Sequence, residues 1–364
     1  MTVKVGILGA SGYGGSELIR RLGRHEHVEL TGFASRQYLG QPLEACWPQL
    51  AGLPLGRQVF DDNDAVIAGA DVLFFATPHA ATAPLVAQAI AAGKQAIDLS
   101  ADFRLDADTY AQWYGLEHPN PELIALARYG LVELHRQELP GARIVASPGC
   151  NATAAALALA PLAASGHLGA DTSVTIATGI SGAGRAPKPV LHFPEAMDSV
   201  VPYSTAGRHR HVAEIEATLG RIRAATAGGD FTAGRSLATH GRQDRPTLTF
   251  TPMRVPMVRG ILAVASTRSP AGAPDTAGLL ELYRDYYAGN PLLHVQDAAP
   301  ETKSVAGSDR AIVSVEVDQR SGMIQAYSVL DNLGKGASGQ AVQGFNVANG
   351  FEETAGLETE GRWP

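Results

Sequence analysis

Apolar residues in the first hundred positions recur with two periods, and they predict alternating strands and helices. Short apolar runs of strand type are separated by segments such as Ser16–Leu22, in which Leu18, Ile19 and Leu22 share one helical face. The predicted strands are Val3–Leu8, His27–Ala34, Asp71–Ala76 and Gln95–Leu99, and the predicted helices are Ser16–Leu22 and Ala81–Ala92. This order is typical of a parallel sheet covered by helices, and it predicts an α/β fold.

The pattern changes after residue 150, where longer β-type segments replace the alternation. These segments are Ser173–Thr178, Thr247–Pro252, Gly260–Thr267 and Ala311–Asp318. A helix is predicted at Gly278–Tyr287. We therefore predict a second domain of the α+β class, built on an antiparallel sheet with helices.

A glycine-rich turn separates the first strand from the first helix. Gly9, Gly12 and Gly15 are spaced Gly-x-x-Gly-x-x-Gly around Ser11 and Tyr13, rather than in the common Gly-x-Gly-x-x-Gly. Glycine lets the backbone approach phosphates, and the helix N-terminus supplies N–H donors, so the turn predicts a Rossmann-type dinucleotide site. The alternative is a turn that needs glycine only for its positive φ.

The choice of cofactor is predicted at the end of the second strand. Ser35 and Arg36 occupy the place where a carboxylate would bind the ribose of NAD, and a hydroxyl beside a guanidinium suits the 2′-phosphate of NADP. Thr77 and Pro78 follow the third strand, at the end expected to face the cofactor. We predict NADP(H); the alternative for Arg36 is an exposed side chain without this role.

Cys150 is the candidate nucleophile. It lies in Ser-Pro-Gly-Cys-Asn-Ala, where a β-branched strand ends and an alanine-rich helix begins. A thiol on the first turn of a helix faces unpaired N–H groups and the positive end of the dipole, which favour the reactive thiolate. The alternative is a small apolar residue that fills space in the core.

Two cationic features are candidates for binding an anionic substrate. Arg104 follows the fourth strand in Leu-Ser-Ala-Asp-Phe-Arg, and a surface ion pair is its alternative role. The glycine loop Thr178–Lys188 contains Ser181 and carries Arg185 and Lys188 near its end, a composition that suits a phosphate. A surface hairpin is the alternative for this loop.

A predicted helix start after Tyr203 supplies a candidate proton carrier. His209 and His211 alternate with arginines there, and Glu214 lies three residues beyond His211 on the same helical face, where it could orient the imidazole. One alternative is a solvated helix start. A metal site is disfavoured because residues two apart point in different directions on a helix and no further ligand completes a set at usual spacing.

Composition narrows the class of protein. The chain has 364 residues, 45% hydrophobic and 18% charged, which is enough for two domains with full cores. Its two cysteines suit a reducing compartment, and its first residues form a strand rather than a signal peptide, so we expect a cytoplasmic protein. A formal charge of -7 without a basic tract argues against nucleic-acid binding, and no apolar run is long enough to span a membrane.

Several segments in order along the whole chain carry a family resemblance. They are Gly-Ala-Ser-Gly-Tyr-Gly-Gly at 9–15, Leu-Ser-Ala-Asp-Phe-Arg-Leu at 99–105, Tyr-Gly-Leu-Val-Glu-Leu-His-Arg at 129–136, Ser-Pro-Gly-Cys at 147–150, Ser-Gly-Ala-Gly-Arg at 181–185, His-Arg-His-x-x-Glu-Ile at 209–215 and Asp-Asn-Leu-Gly-Lys-Gly-Ala-Ser-Gly-Gln-Ala-Val-Gln at 331–343. With these motifs the chain resembles the N-acetyl-γ-glutamyl-phosphate reductase family.

The resemblance implies NADPH-dependent reduction of an acyl phosphate to an aldehyde, with release of phosphate. It implies that Cys150 is the nucleophile and His211 the acid/base, supported by Tyr203, His209 and Glu214. A thiolate that expels phosphate, a hydride that reduces the thioester and an imidazolium that helps the thiohemiacetal collapse make a consistent sequence.

The tail motif implies that the chain returns to the first domain, so that Asn332 lies by the nicotinamide. The implied division is an NADP-binding domain of residues 1–150 with 332–364 and a catalytic and dimerisation domain of residues 151–331. A semialdehyde dehydrogenase-like fold of this kind also implies a homo-oligomer, a dimer or a tetramer, that acts on a small molecule.

Departures from the family pattern bear on the substrate. Asn151 and Ala152 replace Tyr-Pro after the cysteine, Ala213 replaces a proline, and 192–195 resembles the lysine-pathway subgroup, which reduces 2-aminoadipate 6-phosphate on an acidic amino-group carrier protein. The loop 184–188 instead resembles the arginine-pathway type. From these departures we favour the lysine-type substrate. The single methylene that separates the two substrates changes binding too little to decide between them by inspection.

Two other functions compete with this one. An NADP-sensing regulator could share the fold, but it would have no need of Cys150, His211 and Glu214 together. Aspartate-semialdehyde dehydrogenase uses the same cysteine chemistry, and it would be recognised by a preference for aspartyl phosphate over longer substrates with blocked amino groups.

Overall fold

A parallel sheet forms the first half of the fold. The computed structural model describes residues 2–226, 245–270, 272 and 274–363. Within them, a six-stranded parallel sheet has the order β2-β1-β3-β4-β6-β5. Its strands are β1 Val3–Leu8, β2 Val28–Ala34, β3 Val72–Phe75, β4 Gln95–Asp98, β5 Ala127–Tyr129 and β6 Ile144–Ala146. The predicted α/β fold is confirmed, and β1 has the predicted bounds.

Helices cover both faces of this sheet. They are α1 Tyr13–Leu22, α2 Leu43–Cys46, α3 Asn63–Gly69, α4 Ala83–Ala91, α5 Ala107–Tyr114 and α6 Val132–His135. Because side chains alternate across a strand, Phe74 packs in the core under α1, whereas Leu73 and Phe75 pack in the core under α3 and α4. Burial on both faces explains why β3 is apolar at every position.

A second sheet is mixed rather than antiparallel. Its order is β11-β12-β13-β10-β7-β9-β8. Its strands are β7 Ser173–Gly179, β8 Val201–Pro202, β9 Thr249–Val255, β10 Ile261–Thr267, β11 Leu293–Val295, β12 Ala311–Asp318 and β13 Met323–Leu330. The predicted antiparallel sheet is wrong for the pairs β7·β9 and β11·β12, which are parallel. Each pair is joined through an intervening segment long enough for a crossover, which parallel pairing requires.

The buried helix α7, Cys150–Ala164, packs against the second sheet. Every residue from Asn151 to Ala163 is buried, and eight of the helix's fifteen residues are alanine, so the backbone packs closely on its neighbours. The helices after α7 are α8 Phe193–Ala196, α9 His211–Thr226 and α10 Thr276–Tyr286. Because α7 starts directly after β6, its N-terminus lies at the carboxyl ends of the parallel strands.

After β13 the chain returns to the first sheet. A π-helical turn, Gly334–Ser338, leads into α11 Gly339–Asn349. Ser338 Oγ donates to the Gly14 carbonyl oxygen at 2.9 Å, and Phe345 packs edge-on against Phe74 at 5.5 Å. The segment thus joins the end of the second sheet to the glycine-rich turn. Among the described helices, every one is too short or too polar to cross a membrane.

A buried ionic network fastens α1 to the rest of the chain. Arg21 is fully buried, and its Nε and Nη2 donate to both carboxylate oxygens of Asp309 at 2.6–3.0 Å. Glu17 accepts from Arg21 at 2.5 Å and from Arg259 at 2.6 Å. Since Arg259 lies between β9 and β10, the network connects α1 to the second sheet.

We expect Asp309→Asn to lower the free energy of unfolding by about 3 kcal/mol, because it removes one of the two carboxylates that balance the buried Arg21 guanidinium. Urea unfolding followed by circular dichroism measures the loss. Glu358→Gln is the matched control: it removes a carboxylate that binds the half-buried Arg20 and the exposed Arg24, and we expect a loss of about 1 kcal/mol or less. Equal losses of unfolding free energy in the two variants would show that the buried ion pair stabilises the fold no more than the exposed one.

Candidate active site

Cys150 is the first residue of α7, and Gly149 is its N-cap. The thiol is half-buried, and Sγ lies 3.9 Å from Asn151 Oδ1. A Cβ at Gly336 would lie 2.9 Å from the Cys150 Cβ, so glycine in the returning segment allows it to pack directly on the cysteine. The cysteine is therefore held between the two halves of the fold.

Burial decides the protonation of this thiol. It raises the pKa of Cys150 to about 11, against the opposing effects of the Asn151 backbone N–H and the Arg104 guanidinium, while the Glu214 carboxylate raises it further. The N–H groups at the helix N-terminus favour the thiolate, as predicted, but the desolvation of the sulfur outweighs their effect. At neutral pH the site holds a thiol that needs a base.

Glu214 ties three elements together at the base of the site. Its Oε1 accepts from Tyr129 Oη at 2.7 Å and from the Gly149 N–H at 2.8 Å, and its Oε2 lies 3.3 Å from Arg104 Nη1. The side chain is 1% exposed. The expectation that Glu214 orients His211 is not supported, because these three partners occupy its carboxylate.

Arg104 is a buried structural side chain in this structure. Its Nε donates to the Ser147 carbonyl oxygen at 2.7 Å and its Nη2 to that of Leu99 at 2.9 Å, while Nη1 faces Glu214. The surface ion pair is excluded because the side chain is 5% exposed, whereas the substrate clamp stays a prediction, since Arg104 lines a cavity together with Cys150 and His211. It contributes positive charge beside Gly149 and Cys150.

His211 begins α9 and lies directly against the N-cap of α7. A Cβ at Gly149 would overlap His211 Nε2, so glycine permits the approach. Among the described residues, none hydrogen-bonds to the buried His211 Nδ1. Burial, assisted by His209 and Arg104, holds the pKa of His211 well below its ordinary value. The imidazole is neutral and able to accept a proton.

His209 forms a hydrogen bond with the backbone. Its Nδ1 accepts from the His211 backbone N–H at 3.1 Å, which fixes the proton of the neutral ring on Nε2. Burial and the nearby Arg210 lower its pKa to about 4. Of the two histidines, His211 therefore has the free basic nitrogen.

A cavity of about 410 Å³ opens above Cys150. Its lining includes the predicted residues Lys188, Tyr203, His209 and His211, together with residues that sequence reasoning did not assign to the site, His79, Tyr114, Asn151, Thr178, Arg210 and Arg254. The Asn151 amide links the lining: it donates to Tyr203 Oη at 3.1 Å and accepts from Thr178 Oγ1 at 2.9 Å. The position of Asn151 directly after the cysteine was the available sequence indication.

The glycine-rich turn opens onto a second cavity of about 570 Å³. Gly9 has φ +81°, and a Cβ at Gly15 would come within 2.5 Å of Ala10 Cα, whereas Gly12 has no neighbour closer than 3.5 Å to such an atom. The turn thus needs glycine for its shape and leaves free space at Gly12. This cradle fits a dinucleotide phosphate.

Several predicted cofactor residues line this second cavity. They are Gly12, Tyr13, Thr77, Pro78 and Asn332. Asn332 is 2% exposed, donates to Ser181 Oγ at 2.9 Å and accepts from the Gly260 N–H at 2.8 Å. Ser181 is thereby placed on the cofactor side of the site, beside Asn332.

Ser35 and Arg36 differ in accessibility. Ser35 is 7% exposed and its Oγ donates to Ser11 Oγ at 2.8 Å, so it joins the end of β2 to the glycine-rich turn. Arg36 is exposed and lies in a small surface cavity that also contains Asp61, Asp62 and Asp64. Of the two, Arg36 is the side chain available to a 2′-phosphate.

Arg185 is not placed as a substrate ligand. Its Nη1 donates to the Ser11 carbonyl oxygen at 3.0 Å and lies 2.8 Å from Cys46 Sγ, and its guanidinium stacks 4.5 Å from the Trp47 ring centre. The side chain reaches across to the cofactor-binding half because the glycine loop extends over it. Lys188, from the same loop, is exposed and lines both cavities.

Comparisons with known proteins agree with this arrangement. Residues 4–142 match the family described as semialdehyde dehydrogenase, NAD binding domain, and residues 150–332 match semialdehyde dehydrogenase, dimerisation domain. An N-acetyl-gamma-glutamyl-phosphate reductase of Thermus thermophilus is 47% identical over 99% of this chain and 100% of its own. The chain belongs to the N-acetyl-γ-glutamyl-phosphate reductase family. The predicted family, oxidoreductase class and nicotinamide dinucleotide site are confirmed.

Other relatives extend the same result. The reductase of Heliobacterium modesticaldum is 41% identical over all of both chains. The solved structure of aspartate semialdehyde dehydrogenase II of Vibrio cholerae matches this chain with a TM-score of 0.68 at 17% identity. The structure of aspartate semialdehyde dehydrogenase of Candida albicans with NADP matches with a TM-score of 0.67 at 16% identity. Each match covers 95% of this chain and 98% of the other chain. These two structures show the shared fold.

In the described part of the chain, no group of three or more His, Cys, Asp or Glu side chains could hold a metal ion.

We expect the rate of alkylation of Cys150 by iodoacetamide to rise about tenfold per pH unit from pH 6 to beyond pH 9, because only the thiolate reacts and burial raises the pKa to about 11. Mass spectrometry of the peptide that contains Cys150 measures the rate, with N-acetylcysteine as the reference thiol. A plateau below pH 8 would instead show that the helix end stabilises the thiolate.

Proposed function

We propose that this chain reduces an acyl phosphate with a blocked amino group to its semialdehyde, using NADPH and a thioester on Cys150. The observation that carries the proposal is that the substrate-side and cofactor-side cavities meet at Cys150 and His211. A nucleophile and a base at such a junction can hold an acyl group within reach of a nicotinamide. Membership in the reductase family supports the same reaction.

The first half of the reaction follows from the protonation states of the two side chains. Neutral His211 accepts the Cys150 proton as Sγ attacks the carbonyl carbon of the acyl phosphate. The bond between carbon and the bridging oxygen breaks, and the imidazolium returns the proton to the departing phosphate. Cys150 then carries a thioester, and His211 is neutral again.

The second half releases the aldehyde. NADPH, when bound, supplies the hydride that reduces the thioester carbonyl. Collapse of the resulting thiohemiacetal breaks the bond between carbon and Sγ, and the Cys150 thiolate regains a proton through His211. In these steps His211 moves protons, while Glu214 acts through the Gly149 N–H and Arg104 to keep the start of α7 in place.

The cofactor is held by the first domain in this proposal. Gly9, Gly12 and Gly15 shape the phosphate cradle, with Ser11 and Tyr13 beside it. The exposed Arg36 takes the 2′-phosphate, which favours NADP over NAD. Thr77, Pro78 and Asn332 line the nicotinamide end.

For the substrate we propose N-acetyl-γ-glutamyl phosphate. The relatives that match the full chain bear the name of that reductase, which supports the arginine-type substrate over the lysine-type one favoured from motifs. Lys188, Arg208 and Arg254 line the cavity beyond Cys150 and suit the carboxylate at the far end of the substrate. Tyr203 and His209 line the same cavity.

The domain division belongs to the same proposal. Residues 1–150 with 332–364 form the NADP-binding domain, and residues 151–331 form the catalytic domain. The match of residues 150–332 to a dimerisation domain supports a homo-oligomer formed through the second sheet.

We expect the purified protein to oxidise NADPH when supplied with N-acetyl-γ-glutamyl phosphate, and Cys150→Ser to lose turnover at least about 10³-fold while binding NADPH as before. The alcohol has a far higher pKa and is a poorer leaving group. Absorbance at 340 nm follows turnover, and fluorescence titration follows NADPH binding. Turnover by the Ser variant close to wild type would rule out the thioester.

We expect His211→Asn to lower kcat by about 10²–10⁴-fold and to remove one limb of its pH profile, because it removes the proton carrier. We expect His209→Asn to act mainly on KM, since its Nδ1 already accepts a backbone N–H. Steady-state kinetics across pH compare the two variants. A larger loss of kcat in His209→Asn than in His211→Asn would show that His209, and not His211, transfers the proton.

A second candidate substrate is carrier-bound 2-aminoadipate 6-phosphate. Asn151 in place of the family's tyrosine and the exposed cations Lys188, Arg208 and Arg210 favour it, since an acidic carrier protein would be attracted to them. Arg185, the other cation of the glycine loop, contacts Cys46 and is therefore not counted among these cations.

We expect kcat/KM for a carrier-bound substrate to fall steeply with added salt, and that for N-acetylglutamyl phosphate to change less, because salt screens long-range attraction. Measuring both substrates across a salt series separates the candidates. A preference for the acetylated substrate at every salt concentration supports our first choice, and a preference for the carrier-bound one supports the second.

A further inference from the structure

The two cavities share a small set of lining residues at their junction. They are His79, Cys150, Gly182, Ala183, Lys188 and His211. In the proposed function, on which this inference rests, the reacting carbonyl carbon lies at this junction within reach of both the thiol and the nicotinamide. The phosphoryl group is bonded to that carbon through one oxygen, so it must lie at the junction as well. Besides His211, the junction residues with a side-chain N–H are His79 and Lys188.

The hydrogen bonds of His79 fix where its proton is. The Ala101 backbone N–H donates to His79 Nδ1 at 3.2 Å. A backbone amide can only donate, so Nδ1 is the acceptor nitrogen and the proton of the neutral ring is on Nε2. The ring therefore presents an N–H donor.

The backbone around His79 is strained and held in place. Ala80, the next residue, has φ +66°, a left-handed conformation that is costly for a residue with a Cβ. The fully buried Asp102 accepts from the Ala80 N–H at 2.9 Å and from the Ala83 N–H at 3.0 Å. The fold thus maintains a strained turn directly after His79, which fixes the position of the ring.

The surroundings of His79 are positive. Tyr114 packs edge-on against the His79 ring at 5.7 Å, and the Arg210 guanidinium lies 4.9 Å from the centre of the same tyrosine. His79 is exposed at the junction, and the partial desolvation of its ring, together with Arg104 and Arg210, lowers its pKa to about 4, although Asp102 opposes this. A neutral donor among cations suits an anionic ligand without adding a charge of its own.

We propose that His79 is a substrate-binding residue that donates its Nε2–H to the phosphoryl group of the acyl phosphate, together with Lys188 from the same junction. The phosphate that leaves on thioester formation departs from the same place. The substrate's carboxylate lies at the far end of its chain, toward Arg208 and Arg254, so the two anionic groups are bound by different side chains.

The reverse reaction tests this assignment, because there inorganic phosphate is a substrate in its own right. We expect His79→Phe, which keeps a ring against Tyr114 but has no donor, to raise KM for phosphate about tenfold or more, the size of one hydrogen bond to a charged group. We expect KM for the aldehyde and the Kd for NADP⁺ to stay within about twofold. His79→Gln, whose amide can place an N–H near the Nε2 position, restores most of the phosphate affinity.

His27→Phe is the matched control, since His27 stacks on Phe351 away from both cavities, and we expect no change in any of these constants. A second measurement does not depend on turnover: calorimetric titration of inorganic phosphate into the NADP⁺-loaded enzyme gives a Kd that His79→Phe raises and His79→Gln does not. Imidazole ¹⁵N spectra show a protonated Nε2 on His79 whose proton shifts downfield with phosphate.

Two results would overturn the assignment. An unchanged KM and Kd for phosphate in His79→Phe would remove His79 from the phosphate site, and a raised Kd for NADP⁺ alone would assign it to the nicotinamide. If the proposed function is wrong, the wild-type enzyme turns over no acyl phosphate. The calorimetric Kd values for phosphate would still show whether His79 binds phosphate, because they do not depend on turnover.

Discussion

The structure of the site depends on one buried carboxylate. Glu214 accepts hydrogen bonds from Tyr129 and from the Gly149 N–H and pairs with Arg104, so it joins the start of α9 to the start of α7 and to the strand ends of the first sheet. A buried carboxylate is costly unless its oxygens are bound, and here three donors from distant segments bind them. This requirement brings His211 and Cys150, the first residues of their helices, to one place.

Burial then sets the chemistry of the assembled groups. It raises the pKa of the Cys150 thiol and holds that of His211 well below its usual range, so each group is neutral at rest. In the proposed reaction, the thiol transfers its proton to the neutral imidazole only as the sulfur attacks. The arrangement differs from a preformed thiolate and imidazolium pair, and it makes the base as necessary as the nucleophile.

Close approach of backbone is the second constraint. Glycine at 149 admits His211, and glycine at 336 admits the returning segment onto Cys150. The buried network of Arg21, Asp309 and Glu17 connects α1 to the second sheet through Arg259. Together these contacts keep the cofactor-side and substrate-side cavities joined at a single point.

The sequence by itself determined the strands and helices of the first domain, the glycine turn, the cysteine at a helix start and the family, because each depends on local periodicity or on neighbouring residues. It did not predict the parallel pairs in the second sheet or the acceptors of Arg104, Glu214 and Arg185, because a side chain's partner can come from any segment that the fold brings near. Arg185 was expected at the substrate and lies against Cys46, and Glu214 was expected at His211 and binds Tyr129. Protonation likewise was decided by tertiary structure, since the desolvation of Cys150 comes from residues far along the chain that bury it.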